Sequence, residues 1–207
     1  SILLFVLLEI IFFSTGTLEN KRKTSSNYIV TYITEGSGNM PIIGEGSNLP
    51  NKVTVDNREL DRVDHYYNFG SDTTHAVKLL WNNKPKCSSM FQFMDKLKSV
   101  DLSELDTSGI TDMSKMFYQC KNLEKVYFGT YFNTESVETM QEMFYFCPLI
   151  KTLDLSMFRT PALKNMADLF FQMESLVSLD LSKFDISSVS NMQNFLYNRI
   201  EDRKSVV

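Results

Sequence analysis

At 207 residues, with 43% apolar content and a net charge of −4, the chain is long enough to bury a core and ordinary in composition for a globular fold. Its charge is spread without any basic run beyond Lys21-Arg22-Lys23, which excludes electrostatic capture of nucleic acid as a basis for function. Met and Phe are unusually frequent, and most of them lie after residue 86, where the sequence repeats itself.

Ile2 to Phe13 form an apolar run broken only by Glu9 and followed by the small residues Ser14-Thr15-Gly16-Thr17. A helix needs about 20 residues to span a bilayer, so this run predicts the hydrophobic core of a signal peptide over 1–18. An uncleaved signal anchor and a buried strand are the alternatives. Residues 19–27 are polar, aperiodic and read as a linker. Tyr28 to Thr34 is dense in β-branched and aromatic residues and predicts a strand that stops at Gly36-Ser37-Gly38. Asp56-Asn57, between two short alternating runs, predicts a tight hairpin turn, and His65–Phe69 with His75–Trp81 predicts another antiparallel pair. Residues 28–82 therefore read as a small antiparallel β module.

The pattern Met-x-x-Met-Phe-x-x-Cys-x-x-Leu-x-x-Leu-Asp-Leu-Ser then recurs. Met90, Met116, Met143, Leu169 and Phe195 hold equivalent places at intervals of 26, 27, 26 and 26 residues, a periodicity that signals stacked repeats. Apolar residues at i, i+3, i+4 and i+7 (Met113, Met116, Phe117, Cys120) predict a two-turn helix with one inward face. Leu153-Asp154-Leu155 predicts a short strand with Asp outward. The expected fold is α/β: a solenoid of about four coils over 83–198, each with a short helix and a parallel strand. The β module caps its first coil, with Trp81 packed on it, and residues 199–207 form a tail or truncated end.

These repeats resemble the BspA-type leucine-rich repeat surface proteins, through Val100-Asp-Leu-Ser103, Leu153-Asp-Leu-Ser156 and Leu179-Asp-Leu-Ser182 joined to the Met-Phe-Cys segments. Met94 and Met173 depart from the pattern in place of Cys, and Tyr127 in place of Asp. The resemblance implies a secreted or cell-surface protein, non-enzymatic, used in adhesion or recognition.

The strand register aligns Ser99, Asp101, Ser103, Lys125, Tyr127, Thr152, Asp154, Ser178 and Asp180 on one exposed face, the candidate partner-binding surface for a protein or glycan, with Tyr127 as aromatic anchor. Asp and Ser hydrogen bonding in water is the structural alternative. Cys120 and Cys147 hold the same place in successive repeats, so they are either buried thiols or a disulfide. No cofactor is expected and no metal pattern is present, because the cysteine spacings are whole repeats and His65 and His75 lie outside them. Gly36-Ser-Gly38 and Gly44-Glu-Gly46 lack the ending of a phosphate loop, and no hydrolase or zincin motif occurs, which argues against an enzyme. A membrane is expected to be engaged only through the N-terminal segment if uncleaved. The competing reading is an extracellular, ligand-sensing fragment of a larger membrane receptor.

Overall fold

The computed structural model describes residues 28–197. The expected signal segment, linker and tail lie outside them. Six strands form: β1 (Tyr28–Pro41), β2 (Lys52–Val55), β3 (Arg58–Glu59), β4 (Tyr66–Trp81), β5 (Leu97–Asp101) and β6 (Lys125–Tyr127). They make one mixed sheet in the order β3-β2-β4-β1-β5-β6, antiparallel except for β5 against β6.

In β1 the inward residues Val30, Tyr32 and Thr34 alternate with partly exposed neighbours, the pattern of a strand with one face in the core. The strand does not stop at Gly36 as expected. It continues to Pro41 through a bulge, where the register against β4 shifts and Gly36 and Gly38 take φ of 129° and 77°. Asp56 and Asn57 turn the β2–β3 hairpin with φ of 49° and 67°, the left-handed geometry that matches strand twist.

The α/β leucine-rich repeat solenoid is overturned. The described residues contain no helix, and their regular secondary structure is the mixed β-sheet. Where helices were expected, each repeat places two residues four apart in the left-handed region: Ser89 and Phe93, Lys115 and Gln119, Glu142 and Phe146, Asp168 and Gln172, with φ between 55° and 62°. A right-handed helix cannot contain such residues. The physical reason lies in where the amides go. Lys115, Phe117 and Gln119 donate to the carbonyls of Gln141, Met143 and Tyr145 in the following repeat, at 2.8–2.9 Å. A helix would have used those amides internally, and a segment this short gains too little from helix formation to hold them. The intervening residues make tight turns, such as Tyr118 N–H to Lys115 and Cys120 N–H to Phe117. Met113, Met116, Phe117 and Cys120 are still fully buried, so the apolar spacing marked the inward face correctly while the backbone conformation differed.

Side chains reinforce this repeat-to-repeat pairing. Phe91, Phe117, Phe144 and Phe170 stack in a buried column, with centroids 5.2–5.9 Å apart and planes within 15°. Thr107, Thr134 and Thr160, all buried, form a second column. Each hydroxyl donates to a carbonyl of the next repeat (Asn133, Arg159, Asp185) and accepts the N–H of that same residue.

The first repeat is met by residues from the N-terminal strands and their connections. Gly44 N–H donates to the Met90 carbonyl at 2.7 Å. In later repeats the equivalent carbonyls of Met116, Met143 and Leu169 accept from Phe91, Phe117 and Phe144, so Gly44 stands in for a preceding repeat. Ser47 Oγ donates to the Lys86 carbonyl, and Thr34 Oγ1 to that of Lys96. Trp81 is buried and its indole N–H donates to the Asn48 carbonyl. The buried core runs without interruption from Val30 to Leu176.

Two substitutions test this architecture. A Cβ at Gly44 would lie 2.1 Å from the Ser89 carbonyl oxygen and 3.0 Å from the Gln92 nitrogen, both backbone atoms. Gly44→Ala should therefore destabilise by about 1–3 kcal/mol in urea unfolding. Thr134→Val keeps the shape but strands the Arg159 N–H and carbonyl, and is expected to cost about 2–3 kcal/mol, with Thr134→Ser recovering most of it.

Candidate functional site

The sheet brings together some of the expected surface residues and separates others. In the parallel pairing of β5 with β6, Ser99 lies beside Lys125 and Asp101 beside Tyr127. The antiparallel pairing with β1 extends the row, setting Thr31 opposite Asp101. Thr152 pairs with Ser178 in an isolated parallel bridge. Among the described residues no bridge joins Lys125 to Thr152, so the ladder is two pieces, Ser99/Asp101/Lys125/Tyr127 and Thr152/Ser178. Gly129 makes the approach of the second repeat to the first possible, since a Cβ there would lie 2.4 Å from Ser103 Cα.

The aspartates are held within their own repeats. Asp101, Asp154 and Asp180 accept the backbone N–H of Ser103, Ser156 and Ser182 two residues on, at 2.8–3.0 Å. The same turn recurs at Asp106, Asp112 and Asp185. Hydrogen bonds from the Ser156 hydroxyl and N–H hold the Asp154 carboxyl below the ordinary aspartate range, and those from Ser182 and Ser187 do the same for Asp180 and Asp185. Asp154, Asp180 and Asp185 are thus oriented, and held in the ionised form, by bonds within their own turns. Tyr127 interrupts the charge column between Asp101 and Asp154, so no unbroken row of like charges forms. Its ring is 36% exposed, and Tyr131 and Met157, equivalent positions of successive repeats, are 38% and 37% exposed.

The cysteines form no disulfide in this structure; Cys87, Cys120 and Cys147 are buried free thiols. Cys120 Sγ donates to the Phe91 carbonyl at 3.0 Å and Cys147 Sγ to that of Phe117 at 3.1 Å, each bond joining neighbouring repeats. Burial pushes the Cys147 and Cys87 thiols up to about 12 and raises Cys120 well above its usual value. Such thiols are neither nucleophiles nor ready metal ligands. Among the described residues, no group of three or more His, Cys, Asp and Glu is placed to hold a metal ion.

Two features escaped the sequence reading. One is the buried Thr column, whose signal was the same residue type recurring at the repeat period. The other is a half-exposed aromatic column, Tyr118, Tyr145, Phe171 and Tyr197, with centroids 4.7–5.0 Å apart and planes within 14°. Because these rings stack on one another, they turn edges rather than faces to solvent. That makes the column a brace between repeats and a poor platform for a sugar or a base. The two glycine pairs also find structural roles, one in the β1 bulge and one against Ser89.

Fold and surface together define an all-β protein whose 26- to 27-residue repeats are joined edge to edge by main-chain hydrogen bonds and capped by an N-terminal β module. The chain belongs to the family described as Mycoplasma protein of unknown function, DUF285, which matches residues 85–205. No curated protein matches it, and no solved structure does.

Two measurements follow from the site geometry. Cys120 and Cys147 should resist iodoacetamide at pH 8 in the native protein and react fully after denaturation, whereas a disulfide would leave both unmodified in either state without reductant. Asp154 should titrate by NMR below the usual aspartate value and move upward in Ser156→Ala. Because its folded value is depressed, its contribution to stability is present above the unfolded value and lost as pH falls through the folded one.

Proposed function

We propose that this protein is a non-catalytic recognition module, secreted or displayed at the cell surface, that binds a protein or glycan through the strand face built on β5 and β6. The observation that carries this reading is the arrangement around Tyr127: a half-exposed ring beside Asp101, on a sheet, next to the Ser99–Lys125 pair. The face is preorganised, since the aspartates are fixed by their own serines, and it offers charged, hydroxyl and aromatic groups on a rigid support. Binding to such a face loses little side-chain entropy, and an aromatic anchor ringed by polar groups is the usual form of an energetic centre. The apolar N-terminal run supports secretion, and the resemblance of the repeats to BspA-type surface proteins supports adhesion or recognition.

The test is a screen of the secreted chain against glycan arrays and extracellular-matrix proteins, followed by Tyr127→Ala and Lys125→Glu on whatever binds. Each variant should weaken binding at least about tenfold, roughly 1.4 kcal/mol, with the urea midpoint unchanged. Full binding by both variants would refute the assignment of this face.

A further inference from the structure

A cavity of about 180 Å³ lies where the N-terminal module meets the first repeat. The β1 bulge forms one wall, and the turn that leads into β5 forms the other. Its floor is apolar, lined by the buried side chains of Met40, Met94 and Leu97. Met94 stands where the next two repeats carry Cys120 and Cys147; it has no S–H to donate to a preceding repeat and lines this cavity instead. Gly36, at the bulge, lets Met40 in: a Cβ there would lie 3.0 Å from Met40 Sδ and 3.9 Å from Lys96 Cγ, at a φ of 129° that side chains rarely adopt. The rim is polar. Ser37, Asn39, Asp95 and Lys96 line it and are exposed, and among the described residues their side chains make no hydrogen bond or ion pair. The main chain behind them is pinned: the Lys96 carbonyl accepts from Thr34 Oγ1 and from the Glu35 N–H, each at 3.1 Å, and the Leu97 N–H donates to the Met94 carbonyl.

A carboxylate and an ammonium on consecutive residues, above a thioether floor, select against most classes of ligand. A sugar finds no ring to stack on, since none of the lining residues is aromatic. A simple anion meets Asp95, and a calcium-like cation finds one carboxylate where it needs about six oxygens or more. A wholly apolar ligand leaves both charges without a partner. A zwitterion answers both at once. A cavity of about 150 Å³ holds a benzene ring, so this one has room for an apolar side chain of that size, and thioether sulfur favours a ring edge. We propose that this cavity binds a free α-amino acid with an apolar, ring-sized side chain. The side chain lies on Met40 and Met94, the ammonium meets Asp95, the carboxylate meets Lys96, and Ser37 and Asn39 complete the hydrogen bonding. The site shares no residue with the strand face.

The probe is L-phenylalanine, titrated into the full chain labelled at its methionine methyls and followed by NMR. Ring-current shifts should appear at the Met40 and Met94 methyls and not at those of Met116 and Met143, which are buried further along the array. Phenylalaninamide, which lacks the carboxylate, and N-acetylphenylalanine, which lacks the ammonium, should each bind at least about tenfold more weakly. Lys96→Gln should lose about the same factor for L-phenylalanine and cease to distinguish it from the amide, and Asp95→Asn should cease to distinguish it from the N-acetyl compound. Both side chains are exposed, so the urea midpoint of either variant should not move. The proposal is overturned if neither methyl shifts at about 10 mM L-phenylalanine, ten times a millimolar dissociation constant. It is equally overturned if the blocked compounds bind as well as the free amino acid, or if either variant retains full affinity. Strand-face binding is a separate measurement and does not depend on the outcome.

Discussion

The structure depends on a main chain that spends its amides on the neighbouring repeat. In the Met-x-x-Met-Phe segment, alternate N–H groups reach forward to the next repeat, and the residues between them close tight turns. That choice accounts for the left-handed residues at Lys115, Gln119 and their equivalents. Each such conformation in a non-glycine residue costs about 1–2 kcal/mol, offset here by hydrogen bonds and burial that no isolated repeat could make. Repeats of this kind are stable only in company, which is why the first one needs the cap centred on Gly44.

Side-chain columns then fix the register. The inner Phe column, the buried Thr column and the outer aromatic column all follow from one rule: identical or similar residues at the repeat period come to lie side by side. The Thr column is the most specific of them, because one hydroxyl satisfies both the carbonyl and the N–H of a residue in the adjoining repeat. The column ends where Ile186 takes the fourth place.

Much of this was legible in the sequence, and the failures are instructive. The period, the inward set Met113, Met116, Phe117 and Cys120, and the Asp56-Asn57 turn follow from spacing and residue type. The helix did not follow. Spacing of i, i+3, i+4 and i+7 reports which side chains face inward, and a chain of turns meets it as well as a helix does. The continuation of β1 past Gly36 was hidden because glycine ends strands and makes bulges alike. The strand face was read residue by residue, yet only β5 and β6 realise the expected extended pairing, with a single bridge at Thr152 and Ser178 beyond it. The Asp and Ser hydrogen bonding named as the structural alternative is present, with Ser103, Ser156 and Ser182 each donating an N–H to the aspartate two residues before it.

The central claim is that the conspicuous Met-Phe segments are hydrogen-bonded between repeats and not within helices. Scalar coupling across hydrogen bonds reads this directly in a uniformly labelled sample. The structure predicts a correlation from the Phe117 amide nitrogen to the Met143 carbonyl carbon, with matching ones from Lys115 to Gln141 and Gln119 to Tyr145. A correlation from Phe117 to Met113, the partner four residues back that a helix would supply, would contradict it.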